Sequence, residues 1–207
     1  MPNHCSNNLV VKGSVNYLTG FKRKFLIESE DSSRGASYDI IHTMPKDLKS
    51  DVSPLPHKDG ETDEQYVNRM QSYRSLYNAD NWYDWRVYNW GTKWDVYDLY
   101  ISDNEDEYFS CSFSSAWSPP IGWFKKAVKM FPNLKFEMDF IEEGCAFCGL
   151  AIGTDGIPSV EYSDIQYEDE NGKRVEWDSS IDKYVYDDGT SIDDEEFYPI
   201  AVNPLTD

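Results

Sequence analysis

WDVYDLYISDNEDEYFSCSFSSAWSPPIGWFKKAVKMFPNLKFEMDFI, residues 94–141, is the stretch on which the fold turns. Trp94 to Ile101 and Glu107 to Phe113 alternate in polarity as two strands do, and the acidic run Asp103-Asn104-Glu105-Asp106 reads as the turn between them. Ser118-Pro119-Pro120 opens a helix whose Ile121, Phe124, Val128 and Phe131 keep helical spacing up to Pro132. Leu134 to Ile141 returns as a strand. Such a ββαβ run lacks one strand and one helix of a closed two-layer sandwich, and the start of the chain supplies both. Cys5 to Lys12 reads as a strand ended by Gly13. Ser14 then precedes a helix with Leu18, Phe21 and Phe25 on one side.

Between these parts lies an insert. Tyr38 to Met44 reads as a second strand stopped by Pro45, and Pro54, Pro56 and Gly60 mark a loop. Thr62 and Gln65 form a capping box at the head of a helix striped by Tyr66, Met70, Tyr73 and Tyr77. Trp82 to Trp90 reads as a shorter helix after a break at Asp80-Asn81. The expected fold is α+β: a ferredoxin-like sandwich, an antiparallel sheet with helices on one face, spanning residues 1–150 with a helical insertion at about 60–92.

The chain has 207 residues, 40% apolar and 15% aromatic, with seven tryptophans, enough for a real core. No run approaches the ~18 apolar residues of a membrane span, and the opening residues lack a signal-peptide layout. A soluble, cytoplasmic protein is expected. Acidic side chains outnumber basic ones 38 to 19, a formal charge of −19. Phosphate binding needs Lys and Arg to displace counterions, so direct nucleic-acid binding is disfavoured and a basic protein partner favoured.

Sixteen of the acidic groups and only three basic ones fall in residues 151–207, which places a composition boundary near residue 150. Glu170-Asn171-Gly172-Lys173 and Asp187-Asp188-Gly189-Thr190 have the composition of hairpin turns, so the tail reads as an acidic β-hairpin extension packed on the core. Its densest carboxylates, Asp187, Asp188, Asp193, Asp194, Glu195 and Glu196, are the expected partner contacts. A solvated acidic surface with no partner is the competing reading.

Four cysteines and three histidines are the candidate metal ligands. Cys145-Ala146-Phe147-Cys148 follows the last core strand, and His4-Cys5 opens the first. In a ferredoxin-like sheet these two strands are antiparallel neighbours, which brings His4, Cys5, Cys145 and Cys148 to one corner. Four N and S donors there suit a structural, tetrahedral zinc with Zn–S of ~2.3 Å, and His42 is the substitute if His4 is not a ligand. Inert buried thiols and a redox pair are the rival readings, the latter opposed by Glu142 and Glu143 nearby. Cys111, inside a strand, reads as core.

Trp82-Tyr83-Asp84-Trp85-Arg86, continuing to Trp94-Asp95, is dense enough for a base-stacking platform. Such platforms sit in basic grooves, whereas this block balances Asp84 and Asp95 against Arg86 and Lys93. Packing onto the sheet is the favoured reading, with Asp84 and Arg86 as a local ion pair. No catalytic motif is present, so an enzyme is not expected.

Three segments carry a resemblance: Met1-Pro2-Asn3-His4-Cys5-Ser6-Asn7; Trp82-Tyr83-Asp84-Trp85 with Asn89-Trp90-Gly91-Thr92-Lys93-Trp94; and Ala116-Trp117-Ser118-Pro119-Pro120 leading to Phe131-Pro132. Together they resemble the YubB ferredoxin-like domain family, carried by phages and plasmids, over roughly residues 1–150. Many members have Trp where this chain has His4. Some phage-borne relatives are similar to anti-CRISPR proteins directed at type II effector nucleases. The resemblance therefore implies an anti-defence inhibitor that binds a basic surface of a type II CRISPR nuclease and hinders loading of target DNA. A mobile-element protein of another class, an anti-restriction factor or a nucleotide-handling enzyme, is the alternative.

Overall fold

The computed structural model describes residues 3–28, 34–50, 52–192 and 199–206. In chain order the elements are β1 (His4–Lys12), α1 (Val15–Phe25), β2 (Leu26–Glu28), β3 (Arg34–Ala36), α2 (Asp63–Tyr77), α3 (Trp82–Asn89), β4 (Tyr97–Asn104), β5 (Tyr108–Ala116), α4 (Ile121–Met130), β6 (Lys135–Glu142), β7 (Phe147–Thr154), β8 (Ile157–Asp164), β9 (Gln166–Glu168), β10 (Arg174–Asp178), β11 (Lys183–Tyr186) and β12 (Ile200–Val202).

The main sheet has the order β4-β5-β1-β6-β7-β8, with every neighbour antiparallel. Its first four strands, joined through α1 and α4, are the βαββαβ ferredoxin-like unit. Leu9, in the central strand, lies between Cys111 of β5 and Met138 of β6. Side chains alternate across a strand, so Cys5, Asn7, Leu9 and Val11 share one buried face with Phe113, Phe109, Phe136, Met138 and Phe140. Leu18, Phe21 and Phe25 of α1 and Trp123, Phe124, Ala127 and Val128 of α4 close that face. Phe21 sits at the centre, its ring 5.4 Å from those of Phe25 and Phe136 and 5.6 Å from Phe131. Each such ring contributes about 1.5–3 kcal/mol through burial. The opposite face is polar, with Asn8 Nδ2 donating to Asp139 Oδ1 at 2.8 Å.

The insert between α1 and β4 differs from its reading in one element. Tyr38 to Met44 is a series of turns, not a strand. Asp39 folds it: its Oδ1 accepts from Met44 N at 2.7 Å, its carbonyl from Thr43 Oγ1 at 2.7 Å, and its Oδ2 meets Lys49 at 2.8 Å. A short aspartate that bonds its own backbone outweighs the strand preference of Ile40 and Ile41. The capping box of α2 is formed as read, with Gln65 N donating to Thr62 Oγ1 and Thr62 N to Gln65 Oε1. The insert is pinned to the core where Trp90 Nε1 donates to the His42 carbonyl (2.8 Å) and Trp123 N to the Trp90 carbonyl (3.1 Å).

Residue 150 lies inside β7, so the change of composition there is not a break in the sheet. β7 and β8 widen the core sheet, and the separate order β11-β10-β9-β12 begins only at Gln166. Both turn readings hold. Gly172 and Gly189 take φ of 75° and 80°, and the backbone closes through Asp169 N to Lys173 O and Tyr186 N to Thr190 O. Asn203 fastens the small sheet to the large one by donating from Nδ2 to Gly149 O at 2.8 Å.

Candidate functional site

The start of the chain does reach the 143–146 turn: Asn3 Nδ2 lies 3.7 Å from Cys145 Sγ. The four expected zinc donors nonetheless do not converge. Ser6 pairs with Ile141 and Ile141 with Cys148, so Cys148 shares the face of Ser6, and Cys5, one residue away in β1, points to the other. Cys5 is buried beside Asn7 and Ser115 in the core. His4 turns towards β4, with Nδ1 3.0 Å from Tyr97 Oη. Cys148 donates to the Ser163 and Asp164 carbonyls at 3.5 and 3.6 Å, and Cys145 is exposed. His42 lies in the insert, its ring edge-on to Trp85 at 5.3 Å. Among the described residues no group of three or more His, Cys, Asp or Glu is placed to hold a metal ion.

Burial pushes the Cys5 and Cys111 thiols up to about 12, and the neighbouring carboxylate of Glu142 adds to the effect at Cys5. The Cys145 thiol is raised by its hydrogen bond to Glu142. None of these is an activated thiolate. Glu142 is fully buried because the 143–146 turn wraps it: Cys145 N donates to Oε2 at 2.6 Å and Gly144 N to Oε1 at 3.2 Å.

The acidic surface is displayed by the small sheet. Glu170, Glu176, Asp182, Asp187 and Asp188 are exposed. Cations of the tail are engaged locally: Arg174 pairs with Glu176 at 2.6 Å, and Lys173 Nζ stands 3.7 Å over the Tyr186 ring and 4.0 Å from Asp188. Trp177, 52% exposed, leans on Tyr184 of the neighbouring strand (5.0 Å). Asp193, Asp194, Glu195 and Glu196 lie outside the described residues.

A third constellation arises where the three segments quoted above from distant parts of the chain meet. Thr92, buried, exchanges two hydrogen bonds with Ala116. Ser118 Oγ donates to the Gly91 carbonyl at 2.5 Å, and Trp117 N to the Asn3 carbonyl at 3.0 Å. Gly91 takes φ 94°, and a Cβ there would meet Pro119 O and Ile121 N at 2.9 Å, so only glycine fits. These clamps hold Trp117 at φ 72°, a left-handed conformation that costs a bulky residue about 1–2 kcal/mol. The indole remains 44% exposed beside Trp94, 39% exposed. Lys93 Nζ stands 4.4 Å from the Trp94 ring centre and 5.7 Å from that of Trp117. The expected Asp84–Arg86 pair is not formed. Asp84 bonds Asn81, whereas Arg86 stacks between Trp82 and Trp90 (5.2 and 4.9 Å) and reaches the Lys93 carbonyl at 3.4 Å. Core packing holds for Trp85 and Trp90 but not for Trp94. The composition of the block was visible in the sequence; the backbone clamp that exposes Trp117 was not.

Two cavities, of about 460 and 700 Å³, flank the Arg74–Asp80 ion pair (2.6 Å) between α2 and α3.

No helix among the described residues is long and apolar enough to cross a membrane. No curated protein matches the chain. A solved structure similar to it is that of a protein api92 from Yersinia pseudotuberculosis, 8% identical, covering 79% of this chain and 98% of that one with a TM-score of 0.46. The family match supports the ferredoxin-like part of the resemblance. Residues 96–187, from the start of the β4–β5 hairpin to the end of β11, match the family model of the ferredoxin-like domain in Api92-like protein.

Proposed function

We propose that the protein is a binding module that docks its acidic small sheet on a basic protein surface of the bacterial cytoplasm. The observation that carries this reading is the segregation of charge. Residues 151–207 hold 16 acidic groups against three basic ones, and Arg174 and Lys173 are already engaged by carboxylates and a ring of the same sheet. The field leaving this surface is negative, which speeds encounter with a positive partner. Trp177, an exposed indole on the same small sheet, has the character of an interface anchor.

The partner implied by the resemblance is a type II RNA-guided nuclease, whose positively charged channel receives the target duplex. An acidic sheet seated there would compete with DNA for the same cations. Titration of the guide-loaded nuclease with the protein at rising salt tests this. The reading expects affinity to fall steeply with salt and target-DNA binding to fall as the protein is added. Absence of binding across several type II nucleases refutes the partner; salt-independent binding refutes the mode of docking.

A further inference from the structure

We propose that the corner formed by Lys93, Trp94, Tyr97, Trp117 and His4 is a binding site for a free nucleoside monophosphate, a function separate from docking by the acidic sheet. The corner presents planar aromatic faces around a cation. The Trp94 and Trp117 indoles are both substantially exposed, and Tyr97 lies 6.1 Å from Trp94. The Lys93 ammonium stands over both indoles, and among the described residues it has no carboxylate partner. Behind it Arg86, whose guanidinium lies against Trp82 and Trp90, reaches the Lys93 carbonyl through Nη1, while the carboxylates of Asp95 and Asp39 support its charge. A half-buried lysine without a carboxylate partner among the described residues, in a chain of charge −19, marks a place where an anion is stabilised.

Shape and charge together select the ligand. An indole face stacks a heterocyclic base regardless of its identity, and an ammonium beside it receives one phosphate. His4 offers a further ring nitrogen: its Nδ1 meets Tyr97 Oη, and Nε2 has no partner among the described residues. A polynucleotide would bring many more phosphates against the acidic remainder of a chain with 38 acidic and 19 basic side chains. A single base carrying a single phosphate satisfies the corner without that penalty. The strained backbone of Trp117, fixed by Asn3, is consistent with a residue held for contact rather than for packing.

Calorimetric titration of the full chain with adenosine monophosphate, adenosine and a short single-stranded oligonucleotide tests the assignment. One monophosphate per chain is expected, with adenosine about tenfold weaker or more, because a charge-assisted contact is lost. The oligonucleotide is expected to bind more weakly per site than the monophosphate. Lys93→Gln, which changes a partly exposed side chain, should reduce the monophosphate to the level of adenosine, and Trp117→Ala should abolish both. No heat with any probe, equal affinity for adenosine and its monophosphate, an unchanged Lys93→Gln variant, or tighter binding of the oligonucleotide would each overturn the proposal.

Discussion

Thr92 Oγ1 donates to the Ala116 carbonyl at 2.9 Å and accepts from the Ala116 amide at 3.0 Å, so one buried hydroxyl satisfies both backbone groups at the end of β5. This pair welds the loop after α3 to the sheet and sets the spacing of Lys93 and Trp94 from Trp117. Thr92→Val keeps the volume and strands two buried polar groups, at a cost of about 2–4 kcal/mol. For a chain of this length the melting temperature should fall by roughly 10 °C. Thr92→Ser should retain most of the stability, and equal melting of Thr92→Val and the parent would refute the weld.

The cysteines should label in a set order. In native protein at mildly alkaline pH, one of the four thiols, Cys145, reacts readily, while Cys5, Cys111 and Cys148 wait for unfolding. Because the bond to Glu142 raises the Cys145 thiol, Glu142→Gln should move its rate–pH curve to lower pH. A chelator should leave the melting temperature unchanged, since Cys5 and Cys148 occupy opposite faces of the sheet. A stoichiometric zinc lost together with stability would contradict that geometry.

Acid stability should depend on one helix-flanking pair. Arg69 holds Glu61 through two contacts of 2.6 Å, and the Glu61 carboxyl titrates at about 2, below its ordinary value of about 4.3. Its folded-state value is depressed, so the stabilisation is present above the unfolded value and disappears as pH falls from about 4 towards 2. Arg69→Gln should flatten the melting-temperature profile over that window and leave its slope near neutrality alone. An unaltered acid limb would show that the pair contributes nothing.

Much of the architecture is legible because it rests on periodicity. Leu18, Phe21 and Phe25, the Thr62–Gln65 box, the β4–β5 hairpin and α4 all follow local rules that tertiary contacts reinforce. The adjacency of β1 and β6 is legible from topology, yet convergence of the metal donors does not follow from it. His4 and Cys5 are consecutive in one strand and must face opposite ways, a constraint the sequence already contained. The turns at Tyr38–Met44 were hidden by Ile40 and Ile41, because what decides them is a bond from Asp39 to an amide five residues on. Charge density changes near residue 150, while β7 runs through that point and pairs with β6 and β8. The aromatic corner depends on three segments meeting and on a left-handed Trp117, neither of which a linear pattern encodes.

The acidic sheet is tested most directly by reversing its charge at two exposed positions. Binding of the guide-loaded type II nuclease should be compared for the parent chain and for Asp187→Lys combined with Asp188→Lys, across a series of salt concentrations. Docking through this sheet predicts weaker binding of the variant at low salt and a shallower salt slope, with the two proteins converging at high salt. Identical affinities and slopes, in a variant whose melting temperature is unchanged, would contradict it.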